Sequence, residues 1–196
     1  MTEAKKQPFY KIIRILTLAP LLASVVLTVM FFTHPAEIDG LSGYLIAQAF
    51  LLLCPVLAYP VQWLIPPLRR LGRNFQRNAA ILAALLGYVA GTVWSFVRHS
   101  SHWLMSVFLA YLLSALCIAL TTVLHFKASA HACGVVGPVA ILTYYVSPFA
   151  LLGLMLLVPV FVASVRMKRN TVPQLVVGSL IPVGTFAFSA FLVSLL

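Results

Sequence analysis

Acidic residues are almost missing from this chain of 196 residues, which has only three: Glu3, Glu37 and Asp39. None of them lies within a long apolar run of the sequence. Magnesium-dependent phosphotransferases need clustered carboxylates, glycosidases need a carboxylate pair, and proton-coupled carriers usually need an acid within a membrane helix. The scarcity of acidic residues therefore argues against all three classes of protein.

Cysteine is equally scarce, because the chain has only Cys54, Cys117 and Cys133, widely separated from one another. A disulfide framework or a zinc site would need paired cysteines or closely spaced cysteine and histidine ligands. We therefore expect neither disulfides nor a bound metal, and no cofactor.

Charged residues make up only 8% of the chain, whereas 62% of its residues are hydrophobic. Apolar runs of about 20 residues are long enough to cross a bilayer, and backbone groups in lipid must be paired within helices. The sequence therefore predicts an all-α fold, a polytopic bundle of about six to seven transmembrane helices. We expect a basic tail, residues 1–14, followed by one transmembrane domain, residues 15–196. The predicted spans are approximately 15–32, 41–65, 78–97, 103–124, 132–146, 149–165 and 173–196.

The positive charges are distributed unequally between the loops that these spans define. Of the thirteen Lys and Arg residues, only Arg98 falls on the side of Glu37 and Asp39, which leaves twelve on the other side. The positive-inside rule then predicts that the N-terminus and the basic loops are cytoplasmic. We expect the cytoplasmic membrane of a bacterium or an archaeon. The net charge of +10 is explained by topology and anionic lipid headgroups, so we expect membrane lipids as partners and no nucleic acid.

One polar segment, residues 125–134, interrupts two apolar runs. Lys127, Ser129 and His131 offer a fixed charge, a hydroxyl and a titratable ring, which together suit a phosphate group. Arginines from the other basic loops, Arg70, Arg77 and Arg166, are further candidates because guanidinium groups match phosphate oxygens. The alternative is that the segment is an ordinary polar loop and that the arginines only set topology.

This polar segment resembles the second motif of the type 2 phosphatidic acid phosphatase family, Pro-Ser-Gly-His. The matching residues are Ala128-Ser129-Ala130-His131, preceded by Lys127. Arg70 and Arg77 have the spacing of the first family motif. Ser164, Asn170 and Gln174 stand at the arginine, histidine and aspartate positions of the third. The resemblance covers approximately residues 69–185. It implies a helical membrane protein that hydrolyses lipid phosphates without metal.

The resemblance also implies a role for each matching position. His131 would be the general acid, and Asn170 occupies the position of the nucleophilic histidine. An amide has no useful nucleophilicity, so this substitution predicts a large loss of rate. Arg166 lies two residues after Ser164 and would partly replace the missing phosphate clamp. In many family members the first two motifs share one loop, whereas two predicted spans separate them here.

Three functions follow from these residues. The first is a metal-free phosphatase-like protein that hydrolyses or binds a lipid or isoprenyl phosphate at the cytoplasmic face. The second is a catalytically inactive relative that binds lipid phosphate or acts as a scaffold. The third is a small lipid transporter.

Overall fold

The computed structural model describes residue 10, residues 12–13 and residues 15–196, without the side chains at positions 68, 69, 73, 74 and 77. Within these residues the chain is mostly helical and contains no strand, so the all-α prediction is confirmed for this part of the protein. The predicted basic tail lies largely outside the described residues.

The described part of the chain contains seven apolar helical segments of 15 or more residues, and two short helices, Pro35–Ile38 and Pro66–Arg69. We label the seven α1 (Ala19–Thr33), α2 (Gly40–Leu64), α3 (Gly72–Val97), α4 (His102–Val123), α5 (Ala130–Tyr145), α6 (Pro148–Arg166) and α7 (Val172–Val193). By length and composition, α2, α4, α6, α7 and the Asn78–Val97 part of α3 are able to cross a membrane. Helices α1 and α5 are also apolar but have only 15 and 16 residues. These five long helices indicate an integral membrane protein.

Two of the long helices are irregular. Residues Ala49–Leu53 of α2 form a π-helical turn just before Pro55, whose missing N–H removes one bond of the regular ladder. Helix α2 ends at Leu64, because Ile65 is extended before Pro66. Helix α6 begins as a nine-residue 3₁₀ helix, Pro148–Leu156, and continues as an α-helix.

Helix α5 lies at the centre of the packing and contacts α1, α6 and α7. Glycines permit its closest contacts: a Cβ added at Gly134 would lie 2.8 Å from Cβ of Ala19 on α1. Helix α7 also packs along α4, and α2 packs along α3. Large side chains from α1 and α4, including Leu27, Met30 and Phe108, are fully buried between the helices.

The two ends of the helix bundle carry different kinds of residue. At one end, the rings of Trp103 and Tyr145 stack 4.5 Å apart, and the ring of His34 lies 5.0 Å from that of Trp103. Asp39 accepts a hydrogen bond of 3.0 Å from the Ser101 amide at the same end. The end of α1, the start of α4 and the end of α5 therefore meet there. The loop between α4 and α5 lies at the opposite end, which we call the basic end.

Candidate functional site

The loop between α4 and α5 is held in a fixed shape by Thr121. The backbone oxygen of Thr121 accepts hydrogen bonds from the amides of Phe126 (2.9 Å) and Lys127 (3.1 Å). Its hydroxyl accepts a further bond of 3.3 Å from the Ala128 amide. His125 and Lys127 have positive φ angles of 60° and 55°, which are uncommon for residues other than glycine. The loop leaves the Lys127 side chain exposed.

Ser129 is the residue just before helix α5 and is buried, with 2% of its surface exposed. Its hydroxyl accepts a hydrogen bond from the Ala132 amide (3.4 Å) and so caps the helix. Its own amide donates to the backbone oxygen of Gln174 on α7 (2.9 Å). Gly178 allows this contact, since a Cβ there would lie only 2.4 Å from the Ser129 carbonyl oxygen. Ser129 therefore has a clear structural role in fixing α5 against α7.

The side chain of Gln174 joins the two loops of the basic end. Its Nε2 donates to the backbone oxygen of Phe126 (2.8 Å), and its Oε1 accepts from the Thr171 amide (3.0 Å). The Asn170 amide nitrogen also donates to Oε1, at a longer 3.5 Å. We call this set of contacts the Gln174 bridge. It places the residues matched to the second and third family motifs side by side.

The residues at the third-motif positions do not form a nucleophilic centre. Asn170 is partly buried and its amide group is directed to Gln174, which is itself an amide and not a carboxylate. Ser164 on α6 is completely buried, and its hydroxyl has no hydrogen-bond partner. The backbone oxygen of Ser164 accepts from the Arg169 amide (2.9 Å), which turns the chain after α6.

Two further candidates lie at the same end of the bundle. His131 is in the first turn of α5 and is partly exposed. Arg166 is the last residue of α6 and is exposed, where a positive charge complements the negative end of the helix dipole. Lys168 and Arg169 follow in the loop that leads to α7 and are also exposed.

Of the two arginines matched to the first motif, only Arg70 has a described side chain. Arg70 is exposed in the connection between α2 and α3, and the side chain of Arg77 lies outside the described residues. A hydrogen bond of 3.1 Å from the buried Gln62 to the Gly72 oxygen ties this connection back to α2. The described hydrogen bonds thus join residues 121–132 with residues 164–178, but they do not include Arg70.

No group of three or more potential His, Cys, Asp or Glu metal ligands occurs among the described residues. The sequence interpretation missed Thr121 and Phe126, which shape the α4–α5 loop through backbone and hydroxyl contacts. A threonine at the end of an apolar helix gives no sequence signal of this role.

No family model matches this chain, and comparisons with curated proteins and with solved structures found no significant match. The similarity to the type 2 phosphatidic acid phosphatases therefore rests on the motif positions and their spacing alone.

Proposed function

We propose that this protein binds a phosphate-bearing lipid at its basic end, within a membrane that all seven helices cross. The observation that carries the proposal is the Gln174 bridge, which joins Phe126 of one basic loop to Thr171 of the other. Its effect is to hold Lys127 in a loop adjacent to the segment that carries Lys168 and Arg169.

The charge distribution favours an anionic ligand at this end. The two acidic residues that the structure describes, Glu37 and Asp39, lie near Ser101 at the opposite end. The exposed Lys127, Lys168 and Arg169 therefore lie at the end of the bundle opposite these carboxylates. The positive end of the α5 dipole points in the same direction and adds to the attraction for a phosphate. Arginine and lysine at a membrane surface also attract anionic lipids, each contributing about 1 kcal/mol.

The packing also supports seven spans, with α1 and α5 included. Helix α5 begins level with Gln174 and Gly178 of α7 and ends beside Trp103 of α4. It therefore extends over most of the depth that these two long helices cover. Helix α1 runs in the same direction, from Ala19 beside α5 to His34 beside Trp103. Seven spans place the N-terminus and the basic loops on one side, which the positive-inside rule assigns to the cytoplasm.

Binding is better supported than hydrolysis. The position matched to the family nucleophile is Asn170, and its amide cannot attack phosphorus at neutral pH. The acid that would orient a histidine is replaced by Gln174, whose side chain is used in the bridge. We therefore propose a catalytically inactive relative of the type 2 phosphatidic acid phosphatases. Its ligand is a lipid phosphate, with acyl and isoprenyl phosphates as the two chemical forms to compare.

Binding is tested with the purified protein in detergent, without divalent metal, by titration with dioctanoyl phosphatidic acid. Lys127→Ala is expected to weaken binding about tenfold, which corresponds to about 1.4 kcal/mol. Arg98→Ala is the matched control, because it removes one exposed cation at the opposite end, and its affinity should equal that of the parent. Equal affinities for all three proteins would refute a phosphate site at the basic end.

Hydrolysis is tested in the same samples by phosphate release from phosphatidic acid and from isoprenyl phosphates. The parent should release no phosphate, and Asn170→His tests whether restoring an imidazole is enough for activity. Phosphate release by the parent that is lost in His131→Ala would contradict an inactive relative and identify a working phosphatase.

A further inference from the structure

Helices α5 and α7 pack closely near the basic end, where Gly178 lies against Ser129, and a pocket lies between them toward the other end. A Cβ added at Gly137 would lie 3.4 Å from Cβ of Pro182, so the two helices are still in contact there. From about this level toward the opposite end, an open pocket of about 720 Å³ lies between the two helices. The 3₁₀ part of α6 forms its third wall. The pocket is separate from the Gln174 bridge. Its interpretation rests on the seven-span arrangement of the proposed function but not on phosphate binding.

The pocket is elongated along the helices. It extends from Val136 to Tyr144 on α5, and from Val183 on α7 to Ser194, the residue that follows this helix. At 1.5 Å per residue these segments are about 12 Å and about 16 Å long. Since both helices are apolar along their length, the long axis of the pocket follows the direction of the lipid chains in a bilayer.

The third wall has an unusual backbone. A 3₁₀ helix of nine residues is much longer than usual, because runs beyond 3–4 residues are uncommon. Gly153 within it allows close contact with α5, since a Cβ there would lie 2.8 Å from Cγ2 of Val139. Leu151 and Leu154 from this helix line the pocket. The close contact at Gly153 fixes the 3₁₀ helix against α5 beside the pocket.

Polar groups lie only toward one end of the pocket. Thr143, Tyr144 and Ser194 are the polar residues of its lining and lie at the ends of α5 and α7. The other lining residues are apolar. An ordered water needs two to four polar partners, so the apolar part of the pocket is a poor site for water. Tyr144 and Phe191 are exposed at the pocket, which opens it toward the surrounding lipid.

We infer that this pocket binds one hydrocarbon chain of a membrane lipid from the leaflet opposite the basic loops. The chain enters beside Tyr144 and Ser194 and extends inward to Val136 and Val183. The polar part of the lipid remains at the end where the polar lining residues lie. The pocket volume is within the range of about 300–1,000 Å³ that is typical of small-molecule sites. Its shape, apolar lining and position among membrane helices match a lipid chain.

The test uses the full chain in nanodiscs of phosphatidylcholine whose acyl chain carries a photoreactive diazirine near its middle. After irradiation, labelled peptides are mapped by mass spectrometry. We expect labelling to concentrate on residues 136–144 and 183–194. The reference is the exposed face of α3 at Leu86, Val89 and Val93, which lies outside this pocket. Equal labelling per exposed residue in the two regions would overturn the inference.

A variant that fills the pocket with a larger side chain provides a second test. Ala187 lines the pocket, so Ala187→Trp should reduce labelling of residues 136–144 several-fold. Ala119→Trp makes the same change at an exposed alanine of α4 outside the pocket and should leave labelling unchanged. Unchanged labelling in a folded Ala187→Trp protein would overturn the inference. Efficient disulfide crosslinking of Ala187→Cys into dimers would also overturn it, because a second copy of the chain would then fill the pocket.

Discussion

Removing the side chain of Gln174 should loosen the α4–α5 loop without unfolding the bundle. Gln174→Ala removes the 2.8 Å bond to the Phe126 oxygen and the 3.0 Å bond from the Thr171 amide. The net contribution of one such bond is about 0.5–1.5 kcal/mol, and both are exposed to water. We therefore expect a local loss of about 1–2 kcal/mol, and hydrogen exchange of the loop amides about tenfold faster.

The assay is hydrogen exchange with mass spectrometry on the protein in detergent. Peptides covering residues 124–129 should exchange faster in Gln174→Ala, whereas peptides from α2 should not change. Gln174→Glu separates the two halves of the bridge. A carboxylate still accepts from the Thr171 amide at the positive end of α7, but it cannot donate to the Phe126 oxygen. The α4–α5 loop should therefore loosen in both variants, and the start of α7 only in Gln174→Ala. Unchanged exchange of residues 124–129 in Gln174→Ala would refute this account of the loop.

Four further substitutions test the packing and capping of α5, α6 and α7. Gly178→Ala should destabilise the protein by about 1–3 kcal/mol, because its Cβ would lie 2.4 Å from the Ser129 oxygen, as measured by thermal unfolding in detergent. Gly184→Ala is the control on the same helix, since a Cβ there has nothing within 4 Å, and it should not lower stability. Ser129→Ala removes the cap of α5 and should cost about 0.5–2 kcal/mol in the same assay. Ser164→Ala should leave stability unchanged or raise it, because it removes a buried hydroxyl that has no partner; a loss above 1 kcal/mol would show that this hydroxyl is used.

The helices could be located from the sequence because long apolar runs leave few alternatives. The predicted span 132–146 corresponds to α5, Ala130–Tyr145, and the predicted span 149–165 to α6, Pro148–Arg166. Helix α3 begins at Gly72, six residues before the predicted start at Asn78. Hydropathy marks where lipid begins, whereas arginine is a good helix former and allows the helix to extend past that point. The number of spans depends on the position of the membrane and stays a prediction.

The irregular helices were not predicted in the form that the structure has. In α2 the irregularity is a π-helical turn, Ala49–Leu53, just before Pro55. The 3₁₀ part of α6 contains no signal except Pro148 and Gly153, and Gly153 lies in close contact with Val139 of α5. Such choices between helix types differ by small energies that tertiary contacts decide.

The candidate site was predicted as a set of residue positions, but its contacts were not. The motif spacing assigned Ser129 to the second motif and Gln174 to the third. In the structure a backbone hydrogen bond joins these two residues. Phe126, which accepts from Gln174, lies between two residues with positive φ angles, His125 and Lys127. Neither residue is a glycine, so that backbone conformation could not be predicted from the residue types.

The most direct test of the central claim is a map of where a lipid phosphate protects the protein. Hydrogen exchange would be compared with dioctanoyl phosphatidic acid and with dioctanoylglycerol, which has the same chains and no phosphate. The account predicts added protection of residues 125–134 and 167–174 with the phosphate lipid only. Equal protection by both lipids, or protection confined to other segments, would contradict a phosphate site at the basic end.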